Sequence, residues 1–136
     1  MTSKLVLDNI AGRTTAGSIT IVGEGNTTTT NLQQGLAKVW AYFNQASSST
    51  TPADSFNVSS IDDDGAGDFD VNYTNAMVNN TYASAFNSDA VGNNLMSNRI
   101  IIGAGYATTE LRFLHYENAS LVDATAGTVM VMGDLA

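Results

Sequence analysis

Apolar residues recur at every second position through most of this chain and at helical spacing through one stretch. Leu5 and Leu7 share one face of a strand expected over residues 4–7, and Ile19 and Ile21 share one face of another over 18–22. Between them Ala11–Gly17 is a loop with small residues at both ends, and Gly23-Glu24-Gly25-Asn26 breaks the pattern again. Too short and too small-residued to build a core, this opening reads as a β arm lying against something else.

From Asn31 to Gln45 the period changes. Leu32, Leu36, Val39, Trp40 and Phe43 fall on one face of an amphipathic helix. Thr30 and Gln33 have the spacing of a capping box. These five residues are the candidates for core or oligomer packing. The face either packs on the chain's own sheet or meets its counterparts at an oligomer axis, where Gly35 and Ala37 permit close approach. A buried Trp40 implies that Trp40→Ala costs about 3–5 kcal/mol. Ala46 to Asp54 is a Ser/Thr-rich linker with the only proline, Pro52, and marks the expected boundary between residues 1–45 and a β domain over 54–136.

That domain opens with Ser55–Ile61, a turn at Asp62-Asp63-Asp64-Gly65-Ala66-Gly67, and Asp68–Thr74, where Phe69, Val71 and Tyr73 alternate with Asp70, Asn72 and Thr74. A one-residue slip would turn the aromatic face to water, so the register of this hairpin is well specified. Further strands are expected at Thr81–Phe86, Arg99–Ile102, Glu110–Tyr116 and Thr128–Met132, with a short one at Leu121–Val122. Gly/Asn-rich breaks between them favour a meander over βαβ units. The fold expected is mainly β: an antiparallel β-sandwich or barrel-like domain with one amphipathic helix and an N-terminal β arm.

Composition narrows the function. The 136 residues carry 13 acids against five Lys and Arg, a formal charge of −8, with a pI near 4.1. Lys4, Arg13, Lys38, Arg99 and Arg112 are scattered singly, so no basic stripe exists to neutralise phosphates; nucleic acid and acidic membrane surfaces are excluded as partners. There is no cysteine and therefore no disulfide or thiolate metal site. Charged residues make up only 13%, about half the usual share, and Thr and Asn take their place, as suits paired strands and subunit contacts. No apolar run reaches the roughly 18 residues of a membrane span. The Met1-Thr2-Ser3-Lys4-Leu5 start lacks the apolar region of a signal peptide, which implies a protein made and used from the cytoplasm of its producing cell.

Candidate chemistry is sparse. His115, the only histidine, alternates with apolar residues in a strand and reads as structural. No Gly-x-Ser-x-Gly elbow occurs, and Gly103-Ala104-Gly105 lacks the rest of a dinucleotide fingerprint. The acidic run Asp62, Asp63, Asp64, Asp68 and Asp70 reads as a solvated hairpin turn, with a calcium cage as the alternative. EF-hand spacing is absent. No catalytic residue, cofactor or metal ligand is assigned, and the chain reads as non-enzymatic.

Two phrases carry a resemblance: Asn31-Leu32-Gln33-Gln34-Gly35-Leu36-Ala37-Lys38-Val39-Trp40, and Asp54-Ser55-Phe56-Asn57-Val58-Ser59-Ser60-Ile61 running on through Asp62–Gly67 into Asp68–Met77. With the opening Lys4–Ile10 and Ser18–Gly25, this wording resembles small virion and tail-fibre-like proteins of marine bacteriophages, including those of cyanobacteria. It covers residues 1–77 well and the rest loosely. The resemblance implies a homotrimeric structural protein of the virion, made in the infected host's cytoplasm and contacting the major capsid protein or other virion proteins. A chain of this length lacks a long fibre shaft, which favours a capsid decoration protein. The alternative is a tail-fibre or receptor-recognition component, with loops such as Asn87–Asn98 or Ala104–Thr109 touching the host.

Overall fold

The computed structural model describes residues 4–12, 19–23, 26–46, 51–89, 96–100 and 105–135. Among these the regular structure is all strand, with no helix, and the chain divides into two units, Met1–Leu36 and Ala37–Ala136.

The first unit holds one small hairpin. Strands β1 (Thr20–Val22) and β2 (Thr29–Asn31) pair antiparallel with Ile21 opposite Thr30. The Gly23 amide donates to Thr28 O at 2.8 Å and closes the loop, in which Asn26 takes a left-handed φ of 55°. The strand expected at residues 4–7 does not form; Leu5, Val6, Leu7 and Ile10 are exposed. Alternation alone makes no strand: among the described residues no strand pairs with this segment, and its backbone groups are better satisfied by water. Most of the Ala11–Gly17 loop lies outside the described residues.

The amphipathic helix expected from Asn31 to Gln45 is also absent, and its place is taken by one turn followed by a strand. Asn31 Oδ1 accepts the Gln34 amide at 3.1 Å, as an N-cap does, and Gly35 N–H donates to Asn31 O at 3.1 Å. Leu36 N–H then reaches only to Gln33 O, at 3.3 Å, and the turn ends. Glycine at that point costs a helix about 1 kcal/mol relative to alanine. The segment beyond it, Ala37-Lys38-Val39-Trp40-Ala41-Tyr42-Phe43, is aromatic and β-branched, and it satisfies period 2 as well as period 3.6. It becomes β3 (Ala37–Phe43), with Val39, Ala41 and Phe43 buried and Trp40 and Tyr42 exposed.

The second unit contains β3 and eight more strands: β4 (Asp54–Phe56), β5 (Val58–Gly65), β6 (Asp68–Tyr73), β7 (Ala83–Ser88), β8 (Met96–Ile100), β9 (Glu110–Glu117), β10 (Ser120–Leu121) and β11 (Gly127–Met132). They form two antiparallel sheets. The first has the order β4-β3-β11-β7; in the second β5 pairs β6, β6 pairs β9, and both β8 and β10 pair β9. Division between the units falls after Leu36 and not in the Ser/Thr-rich linker, because β3 and β4 on either side of that linker pair with each other, Trp40 opposite Phe56. The acidic residues expected in a turn are strand residues instead: Asp62, Asp63 and Asp64 belong to β5, and the hairpin turns at Ala66-Gly67. The Arg99–Ile102 strand expected lies three residues early, as β8, and residues 101–102 are outside the described set.

The core lies where the inner faces of the two sheets meet. Phe43 and Phe86 come from the first sheet, Phe69 and Phe113 from the second. Their rings touch across the layers, with centroids 5.2 Å apart for Phe43 and Phe69 and 4.6 Å for Phe86 and Phe113. Val39, Val131, Val71 and Leu111 fill the space around them, all fully buried. Burying each such side chain contributes about 1.5–3 kcal/mol. Toward one end Tyr73, Tyr82 and Tyr106 cluster; the Tyr82 hydroxyl donates to Ala107 O at 2.8 Å and accepts from Tyr73 at 3.2 Å. Burial is the main cause that pushes the Tyr73 and Tyr82 hydroxyls above the usual phenol range.

Two positive-φ positions fix the chain's turns. Asn57 sits between β4 and β5, where the chain leaves the first sheet for the second, and takes φ 58°. Its Nδ2 donates to Lys38 O and Asn75 O, each at 3.1 Å, while its Oδ1 accepts the Asn75 amide at 2.7 Å. One short side chain thereby closes the corner, and asparagine is among the few residues that enter this backbone region readily. Gly67, at φ 65°, donates to Asp123 Oδ1 at 2.6 Å and accepts the His115 amide at 2.7 Å. A Cβ there would lie 2.5 Å from His115 O and 2.7 Å from Val122 N, both backbone atoms that cannot swing away. Gly65, two residues earlier at φ 135°, has open space around it. Gly67→Ala is therefore expected to destabilise the protein by about 3 kcal/mol or more and Gly65→Ala by about 1 kcal/mol. Urea denaturation of the two variants checks this; equal costs would show that φ strain alone, and not the close approach, sets the penalty.

Candidate functional site

The two sheets differ in what they turn outward. On the first sheet the strand register aligns Phe56, Trp40, Met130 and Ala85 in one row across all four strands. Directly opposed residues on neighbouring strands project from the same face, so this row is a continuous apolar band. Tyr42 lies beside it, opposite Thr128, and Met132 beside it on β11. All are substantially open: Trp40 38%, Tyr42 48%, Phe56 49%, Met130 46% and Met132 38%. Taking about 150–250 Å² for each aromatic side chain, and a similar figure for methionine, the five expose about 400–500 Å² of apolar surface. A patch of that size matches the largest apolar patch of an ordinary monomer, which is often the functional one. Trp40, Tyr42, Ala85, Asn87, Thr128 and Met130 line a shallow groove of about 480 Å³ along this face.

The outer face of the second sheet is charged. Asp68, Asp70 and Asn72 of β6 alternate with the buried Phe69, Val71 and Tyr73, and Glu110 and Arg112 lie beside them on β9. Arg112 holds Asp68 in a two-pronged contact, Nε to Oδ1 at 2.9 Å and Nη2 to Oδ2 at 2.8 Å, and reaches Asp64 at 3.0 Å. Those contacts, the hydrogen bond to Asp68 first, raise the guanidinium above its ordinary range. The arginine thus occupies the position a cation would have to take among these carboxylates. Among the described residues no three His, Asp or Glu side chains come together as a cage for a metal ion. Asp70 is the strained member. Its Oδ1 is buried without a hydrogen-bond partner among the described residues. Burial, reinforced by Asp64, Glu110 and Asp68 and opposed by Arg112, pushes its carboxyl up to about 6.

His115 is fully buried on the inner face of β9. Ser88 Oγ lies 2.9 Å from its Nδ1, and Glu117 Oε1 lies 3.6 Å from its Nε2. A serine, a histidine and a carboxylate in sequence suggest nucleophile activation, but Ser88 and Glu117 are only 6% and 5% exposed. What the arrangement does is join β7 of the first sheet to β9 of the second by polar contact inside the core, at the end opposite the tyrosines.

Of the five packing residues expected from the sequence, Val39 and Phe43 lie in the core, while Trp40 faces outward from the same strand. Leu32 is half-buried and Leu36 exposed in the turn after β2. The structure thus separates residues that the helical reading placed on one face. The helical reading concealed Tyr42 as a member of the outward band; Phe56, Met130 and Met132 lay in expected strands, but nothing local aligned them with Trp40. No protein-family model matches the chain, and no curated protein or solved structure matches it.

Two outcomes are expected. Trp40→Ala, far from the 3–5 kcal/mol of a buried tryptophan, should cost about 1 kcal/mol in the dissociated protein, whereas Phe113→Ala should cost about 3–5 kcal/mol; thermal unfolding of both variants at high dilution compares them. Asp70, whose folded-state carboxyl is raised, favours folding while protonated and withdraws that contribution as pH rises from about 4 through about 6. Asp70→Asn should therefore match wild type near pH 4 and exceed it by about 1–2 kcal/mol above pH 6.5, the figure being reduced for a group partly open to water. Urea melts across that range test the sign; a variant less stable than wild type at pH 7 would refute it.

Proposed function

We propose that this chain is a non-enzymatic structural protein of a bacteriophage virion, a decoration (cement) protein on the exterior of the head that works as a homotrimer. The observation that carries the assembly role is the uncovered apolar band of Phe56, Trp40 and Met130 on the outer face of the first sheet. A chain with 13% charged residues and so large an apolar face is built to be covered by protein. The virion setting and the trimer rest on the resemblance of residues 1–77 to marine phage virion proteins. We read the two layers of the second unit as a β-sandwich, a compact block well suited to a surface-mounted subunit. The acidic face of the second sheet would then point to solvent and keep particles apart by charge.

Quantitative mass spectrometry of purified particles tests the reading. A copy number equal to that of the major capsid protein, or a simple fraction of it, is the expected result. A few dozen copies would move the protein to the tail, as a fibre or receptor-recognition component. Absence from the particle would remove the virion reading.

A further inference from the structure

We infer that the outer face of the first sheet is covered by a second copy of this chain, the aromatic ridge of one copy seating in the trough of the next. The inference deepens the assembly reading and rests on it. On the β4-β3 side the face carries the rings of Phe56, Trp40 and Tyr42; on the β11-β7 side it carries Met130 and Met132 with the smaller Thr128, Ala85 and Asn87. The groove of about 480 Å³ lies on this second side, against Trp40 and Tyr42, and has room for an aromatic side chain. Ridge and trough lie side by side on one flat surface. Two copies related by a twofold axis bring each ridge over the other's trough.

Charge favours a copy of the same chain over another occupant. The chain carries −8, so like copies repel unless they meet where charge is absent. Asp54, exposed at the border of the band, and the buried Lys38 at the start of β3 are the two charged residues of β4, β3, β11 and β7. The acids of the second unit concentrate on the other sheet, at Asp62, Asp64, Asp68, Asp70 and Glu110. A charged partner would find nothing on the apolar band to pair with. The area is also adequate. About 400–500 Å² from five side chains of each copy, with the small residues between them, brings the pair to about 1,000 Å², where specific interfaces begin.

Trp40 is the only tryptophan and stands at the centre of the band, so it reports on the face directly. The full chain is diluted from about 100 µM to about 10 nM, with mass followed by analytical ultracentrifugation and tryptophan emission recorded on the same samples. The expected result is a mass that falls to that of a single 14.2 kDa chain together with a shift of Trp40 emission to longer wavelength, both with one midpoint. Met130→Glu, which sets a charge in the trough at an exposed position, should weaken association about 100-fold with an unchanged far-ultraviolet spectrum. A protein monomeric at every concentration overturns the inference. So does a fall in mass with no change in Trp40 emission, which would assign self-association to another surface such as the exposed Leu5 and Leu7. A dimer would keep this inference and remove the trimer from the proposed function. Absence from particles with self-association intact would remove the virion reading alone.

Discussion

Everything in the second unit depends on four phenylalanine rings meeting between two sheets. Phe43, Phe69, Phe86 and Phe113 come from β3, β6, β7 and β9, two strands of each layer. The rings are at edge-to-face and offset distances, the arrangements their quadrupoles favour. Each ring fixes the register of its own strand, since a slip of one residue would send it outward. Once the registers are fixed, so is everything that the outer faces present. The apolar band exists because Phe43 points in and therefore Trp40 and Tyr42 point out; the charged face exists because Phe69 points in and Asp68 and Asp70 point out.

The sequence contains five phenylalanines, and the fifth, Phe56, is the one that lies outside, on the uncovered face. Its neighbour Asn57 explains the position. The left-handed corner at Asn57 carries the chain from one sheet to the other, and β4 is only three residues long before it. In so short an edge strand Ser55 is half-buried and Phe56 is turned to solvent. A lone exposed phenylalanine would mean little. Aligned by hydrogen-bonded register with Trp40 and Met130, it extends a surface across the whole sheet. The opposite sheet places carboxylates gathered around Arg112 at its outward positions, so the two layers present different chemistry, one charged and the other apolar.

Most of this architecture was legible in the sequence where one periodicity prevailed. The β6 strand was clear because Phe69, Val71 and Tyr73 alternate with Asp and Asn and fit no helical face. Later in the chain β9 and β11 were placed within a residue or so. The failure at β3 is of a definite kind. Leu32, Leu36, Val39, Trp40 and Phe43 fit a helix, while Val39, Ala41 and Phe43 fit a strand, and only the pairing of β3 with β11 and β4 decides between them. That pairing joins residues some ninety positions apart, which no local window contains. The strand expected over residues 4–7 failed for the converse reason: local alternation was present and a partner was not. Contacts such as Ser88 with His115, and Arg112 with Asp68, were likewise invisible, since nothing local in either residue's neighbourhood names the other.

The division of labour between the two outer faces also settles a tension in the composition. A chain of charge −8 with so few cations should resist packing against itself, and an apolar surface of several hundred Å² should promote it. Spread evenly, the two tendencies would oppose each other at every orientation of approach. Separated onto opposite layers, they select one. In the pairing proposed above the acidic faces of two copies lie on the far layers, separated by more than the roughly 10 Å to which 0.1 M salt shortens their reach through water. The apolar face is then free to associate, and the acidic face still turns away any copy that arrives the wrong way round. In the proposed assembly, orientation is specified by charge that stays outside the contact.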